Sequence, residues 1–457
     1  MIASGEPRWR VTLPYAALLT CLVCIPVWPG LMSYDGLYAY RTSIEGLETA
    51  VWPPMHTYLF WLSRTVGLGT GGLFAGQIFL IFLGAAVSAA LLLRSLRGLL
   101  AALAGFALLC VVIAPMLGVM HTHWRDVTTA SFAMIGLAFW LLAARYRSTA
   151  WLVLAALAIG ISFSLRYNAF AFFVLLVPLM VWKPFLGQPT PGRIRMIAVG
   201  ALAISIGLAA ASFQWRLPDF KPLAPASTTT NIQVFDLLGI SACEGRSFLP
   251  LAVTDGAPLS GEQVRRLYDP RHVQFSFRPH PGIPQIYARR RFQTPQMRDE
   301  VAQAWREAVR QHFGCYLVHR NAVAIEQIGL APAGVFYPTH GVIDPNPYGI
   351  RVVHPAASQV VTDYVVDASQ GWWSRPAWLF AAAGLVFAAL ALRRDMRALV
   401  VAALLGGAGA NEVLLYLIAP EADARYIFPG DIFCAFVVAM GLCMLAEGRR
   451  ARRLGSA

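Results

Sequence analysis

The chain has 457 residues, of which 57% are hydrophobic and only 13% are charged, roughly half the charged fraction of a typical soluble domain. This composition excludes an ordinary soluble enzyme and favours a protein that lies mostly in lipid. The net charge of +13 requires no nucleic-acid partner, because arginine and lysine also accumulate in the cytoplasmic loops of membrane proteins.

The chain repeatedly supplies continuously apolar runs of about 20 residues, the length of helix that crosses ~30 Å of hydrocarbon. Since the runs do not alternate with a period of two, they indicate helices and not barrel strands. We predict about ten transmembrane helices, at 12–31, 72–93, 99–119, 127–144, 150–165, 168–182, 196–215, 376–392, 398–419 and 427–446. The stretch 53–66 contains two prolines, a histidine and an arginine, and is interpreted as interfacial or re-entrant.

The distribution of basic residues gives the orientation, because arginine and lysine favour cytoplasmic loops. With the N-terminus inside, the cytoplasmic side holds Arg8, Arg10, Arg94, Arg97, Arg145, Arg147, Lys183, Arg193, Arg195, Arg393, Arg394, Arg397, Arg449, Arg450, Arg452 and Arg453. The short outer loops hold Arg41, Arg64, Arg125, Arg166 and Arg425. We therefore predict a multi-pass membrane protein whose N- and C-termini are both cytoplasmic.

Residues 216–374 interrupt the membrane pattern with a polar insert that is long enough for a small domain. On the predicted topology this domain is extracytoplasmic, mainly helical and loop-rich. It separates an N-terminal transmembrane module at 1–215, with about seven helices, from a C-terminal module at 375–457, with about three.

The insert contains two predicted helices and a long loop. The spacing of apolar residues predicts an amphipathic helix from Asp299 to His312, with Gly314 as its stop. A second helix is expected from Tyr316 to Gln327, and five prolines within 331–356 predict a loop.

Two of the seven cysteines, Cys243 and Cys315, lie in the insert, where an oxidising compartment would permit a disulfide. The spacing leaves both the bonded and the free state open. The other five lie in apolar helices and are interpreted as small hydrophobic residues.

The first outer loop, 32–71, carries ionisable groups close to the membrane. Asp35 follows the first span by a few residues, and His56 comes later in the loop. A carboxylate at this depth is wet enough to ionise and close enough to the bilayer to meet a lipid phosphate. Alternatively, Asp35 caps a helix that begins at Gly36.

The second outer loop is the short segment HTHWRD, which contains His121, His123, Arg125 and Asp126. Two histidines and an aspartate suggest a metal site, but the i to i+2 spacing converges poorly on a helix, so we predict no metal ligands. Arg125 and Asp126 also fit a simple solvated ion pair.

Two further outer segments bring arginines to the same membrane face. Arg166 and Asn168 separate two apolar helices, and Arg425 and Tyr426 lie in the last outer loop. An arginine within the membrane is costly and indicates function, although one at a helix end also reaches the interface by snorkelling. Arg425 has acidic neighbours, so a balanced surface charge is an equal alternative.

Arginines and carboxylates at headgroup depth suit a lipid phosphate, because the planar guanidinium binds phosphate oxygens through two parallel hydrogen bonds. Transfer of a sugar from a polyprenyl phosphate needs a general base for the acceptor and cations for the departing phosphate. A phosphate leaves without being protonated, so one carboxylate suffices where a glycosidase needs two.

The motifs PGLMSYDG, WPPMHTYLFW, HWRD, SLRYNA and ARYIFPGD together resemble the GT-C class of membrane glycosyltransferases, which includes protein O-mannosyltransferases and the aminoarabinose transferases of lipid A. The resemblance implies an all-α polytopic protein of the bacterial inner membrane that uses no cofactor, although a divalent cation is compatible with it. It also implies inverting transfer of a hexosyl or pentosyl unit from a polyprenyl-phosphate donor to a glycan, lipid or protein of the cell envelope.

By this resemblance, Asp35 corresponds to the catalytic base, Asp126 to a second acidic loop residue, and Arg166 or Arg425 to a donor-phosphate contact. The full set of candidate donor or substrate contacts is His56, His123, Arg125, Arg166, Asn168, Arg425 and Tyr426. The chain departs from the family pattern in two ways: no second acidic residue stands beside Asp35, and WPPMH replaces the commoner H-P-P order.

Two other classes of function remain open on the sequence. A transporter or flippase of lipid-linked glycans would use the same arginines, and it predicts polar residues deep in several spans or an inverted repeat. Asn411 and Glu412, near the middle of the ninth predicted span, keep this alternative open. The third class is a non-catalytic envelope assembly protein whose outer domain binds glycan.

Overall fold

The structure is a computed structural model that describes residues 8–48, 53–166, 168–173, 175–176, 178, 200–202, 204–206, 220–222, 228–286 and 294–455. The chain divides into two compact units. The first comprises Met1–Pro222, Pro338–Asn411 and Ile427–Ala457, and the second comprises Leu223–Tyr337 and Glu412–Tyr426. Residues 338–374 therefore pack with the first unit, whereas the division into domains at 216 and 374 stays a prediction.

Helices dominate the described residues. In chain order they are α1 (Trp9–Cys24), α2 (Tyr34–Glu45), α3 (Met55–Thr65), α4 (Gly69–Leu92), α5 (Leu96–Val112), α6 (Ala114–Met120), α7 (Arg125–Tyr146), α8 (Thr149–Phe163), α9 (Thr228–Glu244), α10 (Gly261–Leu267), α11 (Val273–Ser276), α12 (Pro295–Gln311), α13 (Phe313–Gln327), α14 (Pro355–Gln370), α15 (Pro376–Leu392), α16 (Ala398–Ile418) and α17 (Phe428–Gly455). Short 3-10 turns cover Ile25–Val27, Ala169–Phe173, Leu251–Val253, Trp372–Ser374 and Ala424–Tyr426. Two strands of two residues, β1 (Leu47–Glu48) and β2 (Lys221–Pro222), pair in parallel.

Among the described residues, five helical segments are long and apolar enough to cross a membrane: Trp9–Val27, α4, α7, α16 and the part of α17 up to Gly448. Two further helices, α8 and α15, are apolar but shorter. The protein is thus a polytopic helical membrane protein, as predicted. Of the span predicted at 168–182, the structure describes 168–173, 175–176 and 178, and Ala169–Phe173 form a 3-10 turn. Most of the span predicted at 196–215 lies outside the described residues.

The span predicted at 99–119 is broken and not straight. Its two halves, α5 and α6, meet at an angle of 88°. Pro115 lies in the first turn of α6, and a proline lacks the N–H that would continue the ladder from α5. The Ala114 N–H donates instead to Ser374 Oγ at 2.8 Å, which satisfies a backbone donor that the break exposes.

The interior of the first unit is built around α4, which packs against α1 and α7, while α7 also packs against α8. Gly84 permits the close approach of α4 to α7, because a Cβ there would lie 2.5 Å from the Met134 carbonyl carbon. Helices in lipid associate largely through such small-residue contacts. The 11-residue α3 spans only about 16 Å, too short to cross the hydrocarbon, in keeping with its interpretation as interfacial or re-entrant.

In the second unit, α9 packs against α10, α12 and α13. Cys243 of α9 and Cys315 of α13 form a disulfide with a Cα to Cα distance of 5.7 Å. A buried ion pair joins Asp236 to Arg320 at 2.6 Å, and both side chains are at most 1% exposed. The same carboxylate accepts a second hydrogen bond, which Trp305 Nε1 donates to Asp236 Oδ2 at 2.7 Å.

The two helices predicted in the insert are present, with different ends. The first begins earlier, at Pro295, because the Thr294 side chain accepts a hydrogen bond from the Met297 N–H and caps it. The stop expected at Gly314 is wrong, since α12 ends at Gln311 and Gly314 lies inside α13. A glycine inside a helix costs only about 1 kcal/mol, which the packing of α13 offsets.

Candidate functional site

Main-chain hydrogen bonds hold the end of the first predicted span, just before the first outer loop, to the second predicted outer loop. The Leu31 N–H donates to the His121 carbonyl at 2.8 Å, and the His123 N–H donates back to the Leu31 carbonyl at 2.9 Å. A third segment joins next to them, where the Asp344 N–H donates to the Met32 carbonyl at 2.9 Å. Loops far apart in sequence therefore share one fixed framework.

His123 anchors this framework from within. Its ring is fully buried between Phe60 and Phe74, with centroid distances of 5.3 and 5.4 Å. Its Nε2 lies 3.0 Å from the Pro29 carbonyl, which can only accept, so Nε2 carries the proton. Burial lowers the pKa of His123 to about 4 despite this hydrogen bond. The ring thus helps to position the two loops, and its predicted contact with substrate stays a prediction.

Asp35 lies in the first turn of α2, next to the same framework. Its side chain is half-buried. The residue at the N-terminal boundary of α2, Ser33, is fixed by Trp124 Nε1, which donates to Ser33 Oγ at 2.9 Å. Gly36 lets the helix start close to the second loop, because a Cβ there would lie 3.0 Å from the His123 carbonyl oxygen. The start of α2, and with it Asp35, is therefore set by contacts with the second loop.

His56, in the first turn of α3, connects the candidate groups electrostatically. Burial lowers its pKa well below the ordinary value, the neighbouring Arg125 and His123 lower it further, and Asp35 opposes them. Asp35, His123 and Arg125 thus all lie within electrostatic reach of His56, and their grouping in one substrate site stays a prediction. The His56 side chain is 2% exposed, and its Nε2 makes no hydrogen bond with any residue that the structure describes.

Asp126, Arg166 and Asn168 form a second polar group. Arg166 forms an ion pair with Asp126, and its Nε donates to Asn168 Oδ1 at 2.9 Å. Asn168 Nδ2 then donates to Asn411 Oδ1 at 2.8 Å. Asp126 and Asn411 are 2% and 0% exposed, so this polar chain is largely buried and ties α7 to α16.

The sequence did not predict that Asn411 would join this chain. The signal for it was a polar amide in the middle of an apolar run, which we interpreted only as a feature of transporters. A buried amide needs hydrogen-bonding partners, and Asn168 is one that the fold supplies. Trp124 and Ser33 were also missed, because their contact depends on how the two outer loops meet.

Arg425 and Tyr426 lie in the second unit, where they meet acidic residues of their own loop. Arg425 Nε lies 2.9 Å from Asp423 Oδ2, and the Tyr426 hydroxyl donates to Glu421 Oε1 at 2.9 Å. His272 lies 3.3 Å from the same carboxylate of Glu421. Arg425 thus has acidic partners in its own loop, and its predicted contact with the donor phosphate stays a prediction.

A cleft of about 490 Å³ opens between the end of α2 and α3, within the predicted first outer loop. Its lining includes Trp61, Arg64 and Phe220. Arg64 is held in place by a hydrogen bond from NH1 to the Ser43 carbonyl at 2.9 Å. Among the described residues, no group of three histidine, cysteine or acidic side chains is arranged to hold a metal ion.

No protein-family model matches the sequence, and no curated protein does either. Among solved structures, the chain is similar to ArnT from Cupriavidus metallidurans in the apo state, with 16% identity, a TM-score of 0.31, and coverage of 96% of this chain and 78% of that one. ArnT from the same organism bound to undecaprenyl phosphate matches with 15% identity, a TM-score of 0.31, and coverage of 97% and 78%. Both of these structures are of ArnT, to which this chain is similar at low identity.

Proposed function

We propose that the protein is an inverting membrane glycosyltransferase that moves a sugar from a polyprenyl-phosphate donor to an acceptor outside the cytoplasm. The observation that carries the proposal is the buried ring of His56, whose Nε2 makes no hydrogen bond with the described residues. The half-buried Asp35 and Arg125 lie within electrostatic reach of this ring. A carboxylate, a neutral hydrogen-bonding ring and a guanidinium are the groups that this transfer needs.

Asp35 is assigned as the general base. It removes the proton from the acceptor hydroxyl or amine as that atom forms a bond to the anomeric carbon. The bond between the anomeric carbon and the phosphate oxygen breaks, and its electron pair stays on the phosphate. Attack from the face opposite the phosphate inverts the anomeric centre, and the proton ends on the Asp35 carboxylate.

Arg125 is assigned to the departing phosphate. Guanidinium stabilises the charge that develops on phosphate oxygens as the sugar leaves, and Arg125 is half-buried beside His56. Arg166 is engaged by Asp126 and Asn168, so in this proposal Asp126 is a positioning residue that orients Arg166. This assignment differs from a catalytic role for Asp126 itself.

His56 is assigned to the substrate. Its buried Nε2 makes no hydrogen bond with the described residues. Such an atom lowers the stability of the fold unless a ligand supplies the missing hydrogen bond. Because the depressed pKa keeps the ring neutral near pH 7, His56 offers a hydrogen bond without adding charge. A sugar hydroxyl is a suitable partner.

The proposed topology has about ten spans, both termini in the cytoplasm and the 216–374 insert outside it. It puts Asp35, His56 and Arg125 at the outer membrane surface, where a donor headgroup in the outer leaflet would lie. The bias of the basic residues supports this orientation, because sixteen arginines and lysines would be cytoplasmic and only five would lie in the short outer loops.

The decisive experiment compares Asp35→Asn with Glu45→Gln, using the purified full chain and a labelled polyprenyl-phosphate sugar. Glu45 is a matched control, because it is an exposed carboxylate at the other end of α2 and pairs with Arg41. Loss of the base should lower transfer by about 10²- to 10⁴-fold, whereas Glu45→Gln should leave it unchanged.

Unchanged transfer in Asp35→Asn would remove the proposed role of this residue. If the wild-type protein moves the labelled lipid across vesicles without releasing its sugar, the protein is a transporter and not a transferase.

A further inference from the structure

A cleft of about 290 Å³ lies where the turn between α15 and α16 meets the start of α5 and the end of α17. Four of its lining residues are Arg94, Arg393, Arg394 and Arg397, and we refer to it as the cationic cleft. It is far in sequence from Asp35 and takes no part in the proposed transfer reaction.

The acidic residues at the cationic cleft are already engaged by one of its arginines. Arg397, 8% exposed, donates to Asp395 through NH2 at 2.7 Å and to Glu447 through NH1 at 3.3 Å. Glu447 also accepts from the Ser95 N–H at 2.9 Å. Burial raises the pKa of Asp395, but the hydrogen bonds from Arg397 outweigh it, so the pKa is lowered and the carboxylate stays ionised.

The remaining arginines leave the cationic cleft with an excess of positive charge. Arg393 donates from NH1 to the neutral Leu445 carbonyl at 2.8 Å, while Arg94 and Arg394 are exposed at the rim. Two carboxylates stand against four guanidinium groups, so two positive charges are in excess. Such a cleft attracts an anion, and it binds a ligand that also carries a positive charge less tightly.

Exposed apolar side chains lie in or next to the segments that line the cleft. Leu392, adjacent to Arg393, is 87% exposed, and Met396, which lines the cleft, is 47% exposed. Leu442 of α17 is 54% exposed. Arginines next to exposed aliphatic groups match the two parts of a phospholipid, a phosphate and its acyl chains, and basic pockets between membrane helices bind anionic headgroups in this way.

We propose that the cationic cleft binds the phosphate of an anionic phospholipid, with the acyl chains against Leu392 and Met396. The guanidinium groups of Arg393 and Arg394 take the phosphate oxygens, since the planar fork matches their geometry. The net positive charge selects an anionic headgroup over a zwitterionic one of the same acyl composition.

The test is native mass spectrometry of the purified full chain titrated with phosphatidylglycerol or with phosphatidylcholine of identical acyl chains. Phosphatidylglycerol should be retained and phosphatidylcholine should dissociate. The double variant Arg393→Gln/Arg394→Gln should weaken phosphatidylglycerol binding by about 30-fold, which corresponds to about 2 kcal/mol for two arginines.

Arg394→Gln alone should weaken binding about fivefold, and it keeps the test valid if loss of the Arg393 hydrogen bond unfolds the double variant. Arg97→Gln is the matched control, because Arg97 is an exposed arginine of α5 that does not line the cleft. Equal retention of the two lipids, or an equal loss in Arg97→Gln, would overturn the proposal. Displacement of phosphatidylglycerol by millimolar inorganic phosphate would also overturn it, since the site would then bind free phosphate.

Discussion

Two buried polar groups of the first unit differ in how far their hydrogen bonds are completed. Arg166 is bound by Asp126 and Asn168, and Asn168 in turn by Asn411. His56 is more deeply buried, at 2% exposure, yet its Nε2 makes no hydrogen bond with the described residues. A buried network whose hydrogen bonds are all made rigidifies a fold. A buried polar atom without a hydrogen bond is rare, and a bound substrate is one way to supply the missing partner. We therefore interpret the completed network as a group that positions Arg166, and His56 as a group that binds substrate.

Removing one partner of the framework should have the largest effect on stability. Asp126→Ala leaves the guanidinium of Arg166, whose side chain is only 13% exposed, without its carboxylate. Breaking a buried pair in this way costs about 3–5 kcal/mol, and thermal unfolding of the purified protein in detergent measures it.

The double variant Asp126→Leu/Arg166→Met is the control for this experiment, because it removes both charges and should recover most of the stability. A single variant as stable as the wild type would mean that the pair is not part of the framework.

Acid should destabilise the protein through its buried histidines. Burial lowers the pKa of His121 and of His123 from 6.5 to about 4. Above pH 6.5 both rings are neutral in the folded and unfolded states. As the pH falls from 6.5 to 4, the unfolded chain binds protons that the folded chain does not, so stability is lost, by up to about 1.4 kcal/mol per pH unit for each ring.

Unfolding midpoints measured between pH 7 and pH 4.5 test this prediction. His121→Phe replaces one titrating ring with a ring of similar size that does not titrate. The unfolding midpoint of this variant should depend less steeply on pH than that of the wild type. An identical slope in both proteins would show that His121 does not contribute.

The smallest effect on stability is expected at His56, together with a clear effect on activity. His56→Phe removes a buried polar atom that has no described partner and keeps a ring in the same space, so the free energy of unfolding should change by less than about 1 kcal/mol. Transfer should fall by about 10²-fold because the substrate loses a hydrogen bond. A large loss of stability with normal transfer would assign His56 to the framework instead.

Particular elements show why the sequence predicted the fold better than the site. The apolar runs of α4 and α7 were recognised because about 20 apolar residues are required to cross the membrane. The break at Pro115 was missed, since a hydropathy pattern carries no information about the angle between two halves of a run. In the site, Asp126 and Arg166 were both identified, but 40 residues separate them, so their pairing was not visible.

The sequence alone determined that this protein is helical, lies in a membrane and carries ionisable groups in the loops between its apolar runs, because hydrophobic length and charge position act locally along the chain. The tertiary structure decided which of those groups meet. It joined Asp126 to Arg166 and Asn168 to Asn411, and it buried His56 within electrostatic reach of Asp35 and Arg125. Burial and pairing depend on segments brought together by packing, so only the folded chain separates a structural ion pair from a candidate catalytic group.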